Sequence, residues 1–188
     1  MDIRFSGFGG QGIIKSGILI GKAASLHDNK YGTMTQSFGP EARGGACSAQ
    51  VVVDDNPVLY PYIVAPEILV SMSQEAYEKF LDDLTPGGIL LTDIDLVKPE
   101  RLRDDVKMYS IPSTRIAEEM GNRIFANVVM VGFFTGITSV ISAESVKAAL
   151  PDSVPERFID VNIKAFERGY DYAIEVLKKE KQTTKAKA

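Results

Sequence analysis

One cysteine, Cys47, and one histidine, His27, are all that 188 residues contain. A single cysteine excludes a disulfide framework within the chain. It also excludes an iron–sulfur cluster held by this chain alone, since such a cluster takes about four thiolates. One histidine leaves a zinc site or a Ser-His-Asp triad poorly supplied. His27 falls near the end of the first expected helix, where it complements the helix C-terminus. A basic surface is missing too. Net charge is −4, and the last eleven residues, KKEKQTTKAKA, carry five lysines against one glutamate, which leaves the body at −8. An acidic body does not suit a phosphate backbone, so nucleic acid is excluded as the main partner. The uncharged run IFANVVMVGFFTGITSVI, Ile124 to Ile141, touches the lower length limit for a membrane span. It holds Asn127, Thr135, Thr138 and Ser139 and lacks an aromatic belt or basic flank, so it is expected as a helix in a core or a subunit interface. No signal-peptide pattern precedes the first strand, and a cytoplasmic protein without membrane contact is expected.

What remains is ordinary globular material, 45% hydrophobic and 24% charged, of one-domain length. Strands are expected over residues 2–7, 31–38, 46–55, 66–73, 89–93 and 106–112. The run ILLTD, Ile89 to Asp93, is continuously apolar up to its end, as in parallel sheets covered on both faces. Helices are expected over 11–27 and 74–84, the second stopped at Thr85, Pro86, Gly87 and Gly88. A further helix opens at Ser113, read as its cap, and helices follow to the end. The last one carries the stripe Ile159, Ile163, Phe166, Tyr170, Ala173 and Leu177. Alternating strands and helices give an α/β fold. The expected form is a doubly wound, mostly parallel sheet with helices on both faces, a Rossmann-like three-layer sandwich. The domain is expected over 1–178, with a flexible lysine-rich tail over 179–188.

GFGGQG follows the first strand and opens the first helix, with Gly7, Gly9 and Gly12 at G-x-G-x-x-G spacing and Gly10 and Gln11 between them. Such a loop aims backbone N–H groups at a helix N-terminus and attracts phosphate or carboxylate. A dinucleotide site also wants an acid at the end of the second strand, and YGTMTQSF supplies none. Close packing of helix on sheet explains the glycines equally well. A P-loop is excluded because Lys15–Ser16 comes one turn too late, and no nucleophile elbow surrounds Ser6 or Ser16. The second motif is FGPEARGG. Arg43 can grip a carboxylate or phosphate with its fork, pair across a subunit boundary, or simply pair with Glu41 in a surface turn, while Gly44 and Gly45 allow a sharp reversal.

The pair GFGGQG and QSFGPEARGG, followed by a strand ending VVVDD, resembles the gamma subunit of 2-oxoacid:ferredoxin oxidoreductases. These enzymes act on pyruvate, 2-oxoglutarate, 2-oxoisovalerate or indolepyruvate. The likeness continues through APEILVSM, LTPGGILLTD, FANVVMVG and VNIKAFERGYDYA, and length points to the 2-oxoglutarate type. The resemblance implies an assembly that converts a 2-oxoacid, coenzyme A and oxidised ferredoxin into acyl-CoA, carbon dioxide and reduced ferredoxin. It implies thiamine-binding alpha and beta subunits and a ferredoxin-like delta subunit as partners. Thiamine diphosphate and iron–sulfur clusters would sit on those chains and none on this one; the sequence has no GDG-type diphosphate motif. The gamma chain would be inactive alone, self-associate as a homodimer when isolated, and lie near the coenzyme A site. Gly7, Gly9, Gly10, Gln11, Gly12, Glu41, Arg43, Gly44 and Gly45 match the family motifs and are expected to contact an anion or a neighbouring subunit, with no catalytic or metal-binding residue among them. A free-standing nucleotide-binding protein and a non-catalytic scaffold are the alternative readings.

Overall fold

The computed structural model describes residues 1–38, 46–101 and 103–187. Its centre is β1 (Asp2–Phe8), whose inner residues are all buried because both of its faces are covered. Ile3 and Phe5 point to one face; Arg4 and Ser6 point to the other. The remaining strands are β2 (Tyr31–Phe38), β3 (Ala46–Asp54), β4 (Ile68–Ser71), β5 (Ile89–Asp93) and β6 (Lys107–Ile111). The sheet order is β2-β3-β1-β4-β5-β6. β1, β4, β5 and β6 run parallel, with Ile3 opposite Ile68 and Ser6 opposite Ser71 at the β1–β4 seam. β3 pairs antiparallel with both β1 and β2.

The helices are α1 (Ile13–Lys22), α2 (Gln74–Phe80), α3 (Ser113–Glu119), α4 (Ala126–Thr138), α5 (Ala143–Ala149) and α6 (Ile159–Lys187). One face of the sheet carries the larger core, built from Phe5, Ile20, Val51, Val70, Phe134 and Phe166 among others. The opposite face carries a smaller cluster of Leu69, Tyr77, Leu81, Leu84, Leu90 and Val97. Helices on both faces of a mixed α/β sheet bear out the expected fold class, with a hairpin added at one edge.

Local chemistry explains the departures from expectation. The first helix starts at Ile13 because Gly12 is left-handed at φ +76°, and it ends in a π-helical turn, Ala23–His27. Gly17 and Gly21 bring α1 close to the sheet: a Cβ on Gly17 would lie 2.7 Å from Cβ of Ala49 on β3, and a Cβ on Gly32 of β2 would lie 2.9 Å from the Gly21 carbonyl oxygen. Ser113 does not cap α3. Pro112 occupies the cap position, and the Ser113 hydroxyl donates to the carboxylate of Asp93 instead.

The uncharged run is α4 and its flanks, and it is core rather than surface: Val129, Val131, Phe133 and Phe134 are fully buried. α6 crosses it at backbone contact, since a Cβ on Gly132 would sit 2.0 Å from the Phe166 carbonyl oxygen. At its ends Ile124 and Ser139 remain exposed. α6 includes 179–187, and Tyr109 donates from its hydroxyl to Glu180 at 3.1 Å. Among the described residues no helix is long and apolar enough to cross a membrane.

Candidate functional site

The helix after β1 lies on one face of the sheet and the helix after β4 on the other, so the crevice at the C-terminal ends of β1 and β4 is a topological switch point. Open α/β sheets bind ligands in that position. Ser6 and Ser71 stitch the seam beneath it. The Ser6 hydroxyl donates to the Val70 carbonyl at 2.9 Å and lies 3.2 Å from the Ser71 hydroxyl. Above them the glycine loop turns back, with Gly9 and Gly10 exposed.

Gln11 holds the loop in shape. Its Oε1 accepts from the Phe8 N–H at 2.6 Å, and its Nε2 donates to the Met72 carbonyl at 2.8 Å. Gly7 leaves room for that side chain, because a Cβ there would come within 2.5 Å of Gln11 Oε1. Gln11 thus ties the β1 turn to the end of β4, with its amide engaged by backbone. Gly7 and Gln11 form the frame of the loop; Gly9 and Gly10 form its open rim.

Gly12 begins α1 without a side-chain cap. The first turn of a helix leaves N–H groups without intrahelical partners. No acidic residue occupies the first turn of α1. A second helix start stands beside it: Asn127, in the first turn of α4, is 7% exposed and donates from Nδ2 to the Gly12 carbonyl at 3.4 Å. α4 likewise has no acid in its first turn. α4 continues from a 3-10 turn, Arg123–Phe125, that Asn122 caps at the Ile124 N–H, so its first N–H groups are already engaged. The open helix start here is that of α1, which favours an anion. Exposed Lys15 on α1 and exposed Arg123, in the turn before α4, add full charges to the same two helix starts. In the sequence Asn127 stands inside FANVVMVG. Its one signal is an amide at the head of an otherwise apolar helix.

Glu41, Arg43, Gly44 and Gly45 lie outside the described residues. Their flanks are placed. The segment leaves β2 at Phe38 and returns at Ala46, the register partner of Phe8. Both motifs are therefore attached at the same end of the sheet, where β1 and β2 finish and β3 begins. Cys47, opposite Gly7, is buried, and that burial pushes its thiol pKa up, which disfavours a thiolate nucleophile. Among the described residues no group of three or more His, Cys, Asp or Glu could hold a metal ion. Asp93, fully buried at the end of β5, is a structural acceptor: it takes Thr114 N at 2.8 Å, Thr114 Oγ1 at 2.7 Å and Asp95 N at 2.9 Å.

The dinucleotide test made on sequence rested on β2 lying beside β1. In the structure β3 takes that place, antiparallel, and β2 is an edge strand. A ribose acid at the end of β2 would not stand beside the glycine loop in the usual Rossmann way.

Fold and loop together define an α/β domain with a glycine loop at its switch point and no metal-ligand set of its own among the described residues. Residues 2–172 match the family described as pyruvate ferredoxin/flavodoxin oxidoreductase, and the chain belongs to that family as a gamma subunit. It is 50% identical over 177 residues to the 2-oxoglutarate synthase subunit KorC of Methanocaldococcus jannaschii, covering 93% of this chain and 95% of that protein. The gamma subunit of a keto/oxoacid ferredoxin oxidoreductase from Geobacter sulfurreducens superposes with TM-score 0.82 at 37% identity, covering 93% and 98% of the two chains. The 2-oxoglutarate:ferredoxin oxidoreductase of Magnetococcus marinus, solved with 2-oxoglutarate, coenzyme A and succinyl-CoA, matches with TM-score 0.85 at 28% identity. Here the likeness covers 93% of this chain but 31% of that one.

Proposed function

We propose that the chain serves a 2-oxoglutarate-type oxidoreductase and that its glycine loop, with Arg43, holds the phosphate end of coenzyme A. The observation that carries this reading is the start of α1 at Gly12, which has no side-chain cap and no first-turn carboxylate and stands at the switch point. A phosphate-rich ligand fits such a place, and the switch-point location is where ligands of α/β sheets belong. KorC of M. jannaschii and the coenzyme A-bound M. marinus enzyme support the substrate class.

In this reading thiamine-binding alpha and beta chains and a ferredoxin-like delta chain complete the enzyme, and electrons leave to ferredoxin through them. Iron–sulfur clusters belong on those partners, because one buried cysteine cannot replace about four thiolates. The role left to this chain is binding and orientation. The start of α1 and Arg43 neutralise phosphate charge, and Gln11 keeps the turn open toward the ligand. Residues 1–178 act as one domain.

The test is Arg43→Lys in the assembled enzyme. Lysine keeps the charge but not the fork, so the coenzyme A requirement should rise by about 1–3 kcal/mol of lost binding while thiamine diphosphate affinity stays constant. Unchanged coenzyme A kinetics with a complex that falls apart would make the loop an interface element and overturn the anion reading.

A further inference from the structure

Residues 57–65, PVLYPYIVA, lead from β3 to β4 on the sheet face opposite α1, and they are built as a platform. Ile63 is the anchor at 5% exposure. Its N–H donates to Gln50 Oε1 at 3.1 Å, and its carbonyl accepts from Arg4 Nη2 at 3.3 Å. Arg4 is itself buried, paired with Asp83 and set 4.7 Å over the Phe80 ring. Further on, Thr85 Oγ1 donates to the Ala65 carbonyl at 3.1 Å, and Thr85 N–H to the Pro66 carbonyl at 2.9 Å. A segment fastened at Ile63, Ala65 and Pro66 nonetheless turns four apolar side chains outward. Leu59 is 95% exposed, Val64 84%, Tyr60 67% and Tyr62 62%, with the two tyrosine rings 5.5 Å apart. Single exposed apolar residues are commonplace, but four within six positions on a pinned segment mark an interaction surface.

The charge around it narrows the occupant. From Ala46 to Glu78 the sequence has no lysine or arginine, while Asp54, Asp55, Glu67, Glu75 and Glu78 carry carboxylates. Of the basic residues that reach the segment from elsewhere, Arg4 is buried and paired with Asp83, and Lys30, beside Asp55, Pro57 and Val58, is paired with Asp28. An isologous pair of copies would bring two such acidic surfaces together, and like charges across an interface oppose association. An anionic lipid surface is opposed for the same reason. A different protein surface, apolar at its centre and rimmed by lysine or arginine, meets neither objection. In the M. marinus enzyme the matching domain is 31% of a longer chain, so there it is covalently joined to further protein.

We infer that Leu59, Tyr60, Tyr62 and Val64 seat a partner chain of the same enzyme, through an apolar contact ringed by that partner's basic residues. The inference rests on the subunit reading above. It is tested by co-expressing the chain with thiamine-binding and ferredoxin-like subunits of the same enzyme and measuring co-elution on a sizing column. Leu59→Asp with Tyr62→Asp should reduce co-elution at least tenfold. The unfolding midpoint of the isolated variant should stay unchanged, because exposed side chains carry little folding energy. Tyr62→Ala and Asp55→Lys should weaken association by smaller factors, and added salt should weaken the wild type more than Asp55→Lys. Undiminished co-elution of the double variant would overturn the surface while leaving subunit membership intact. An isolated wild-type dimer that the double variant dissociates would assign the surface to a second copy and overturn the inference. Failure of the wild type to co-elute at all would remove the subunit reading and this inference with it.

Discussion

Replacing Gly12 by alanine puts a methyl group where the Asn127 carboxamide stands. The added Cβ would lie 2.6 Å from Asn127 Nδ2 and 2.7 Å from its Cγ, and φ is +76°. A left-handed backbone costs a non-glycine residue about 1–2 kcal/mol. Displacing Asn127, which is 7% exposed and donates to Gly12, adds overpacking of about 1–3 kcal/mol. Gly12→Ala should therefore destabilise by about 2–5 kcal/mol, or about 4–20 °C in midpoint at about 2–4 °C per kcal/mol for this size. Gly10 separates the two contributions. Its φ is +98° but nothing lies within 4 Å of an added Cβ, so Gly10→Ala should show the backbone cost alone. Asn127→Ala by itself loses one long hydrogen bond and some packing, about 1 kcal/mol. Combined with Gly12→Ala it removes the clash, so the double variant should lie near Gly10→Ala and the cycle should show a coupling above about 1 kcal/mol. Thermal and urea unfolding of the four variants and the wild type provide the numbers. Additive single effects would refute the claim that Asn127 packs on the loop and aligns α4 with α1.

Gly132→Ala and Gly169→Ala should each destabilise by about 3 kcal/mol or more, since their Cβ atoms would meet carbonyl oxygens at 2.0 and 1.9 Å; urea midpoints check this. Asp93→Ala leaves the half-buried Thr114 N–H and the Ser113 and Thr114 hydroxyls without their acceptor, and a loss of about 2–4 kcal/mol is expected in the same assay. At Asp28 burial raises the carboxyl pKa, but hydrogen bonds from Ser145 and Ser142 and the charge of Lys30 outweigh it and the net shift is downward. A depressed carboxylate stabilises above its unfolded pKa, about 4, and that contribution is lost as pH falls through the lower folded value. The midpoint gap between wild type and Asp28→Asn should thus be full at pH 7 and close below about pH 4. A gap that is constant with pH would place the effect of Asn outside this carboxylate.

The sequence by itself determined the local matters. GFGGQG must turn at a helix start because Gly10 and Gly12 adopt positive φ, ILLTD must be a covered strand, and the paired motifs mark the family. Composition alone limited metal and disulfide chemistry. The rest depended on pairings distant in sequence, which no local pattern encodes. β3 inserts antiparallel beside β1 and pushes β2 to the edge, so the strand on which the ribose-acid test relied is not the neighbour it needs. Gln11 stands out in the motif, but only the fold shows that its amide ties Phe8 to Met72, because β4 ends beside the loop. Ser113 reads as a cap, yet it serves the buried Asp93 once β5 is brought against the start of α3. Ile124–Ile141 reads equally as core or interface by hydropathy. It is core because Gly132 and Gly169 let α6 lie on it at backbone contact, and the exposed apolar surface falls to Leu59–Val64 instead. Periodicity reports that a side chain is apolar, while tertiary packing decides which apolar side chains find a neighbour.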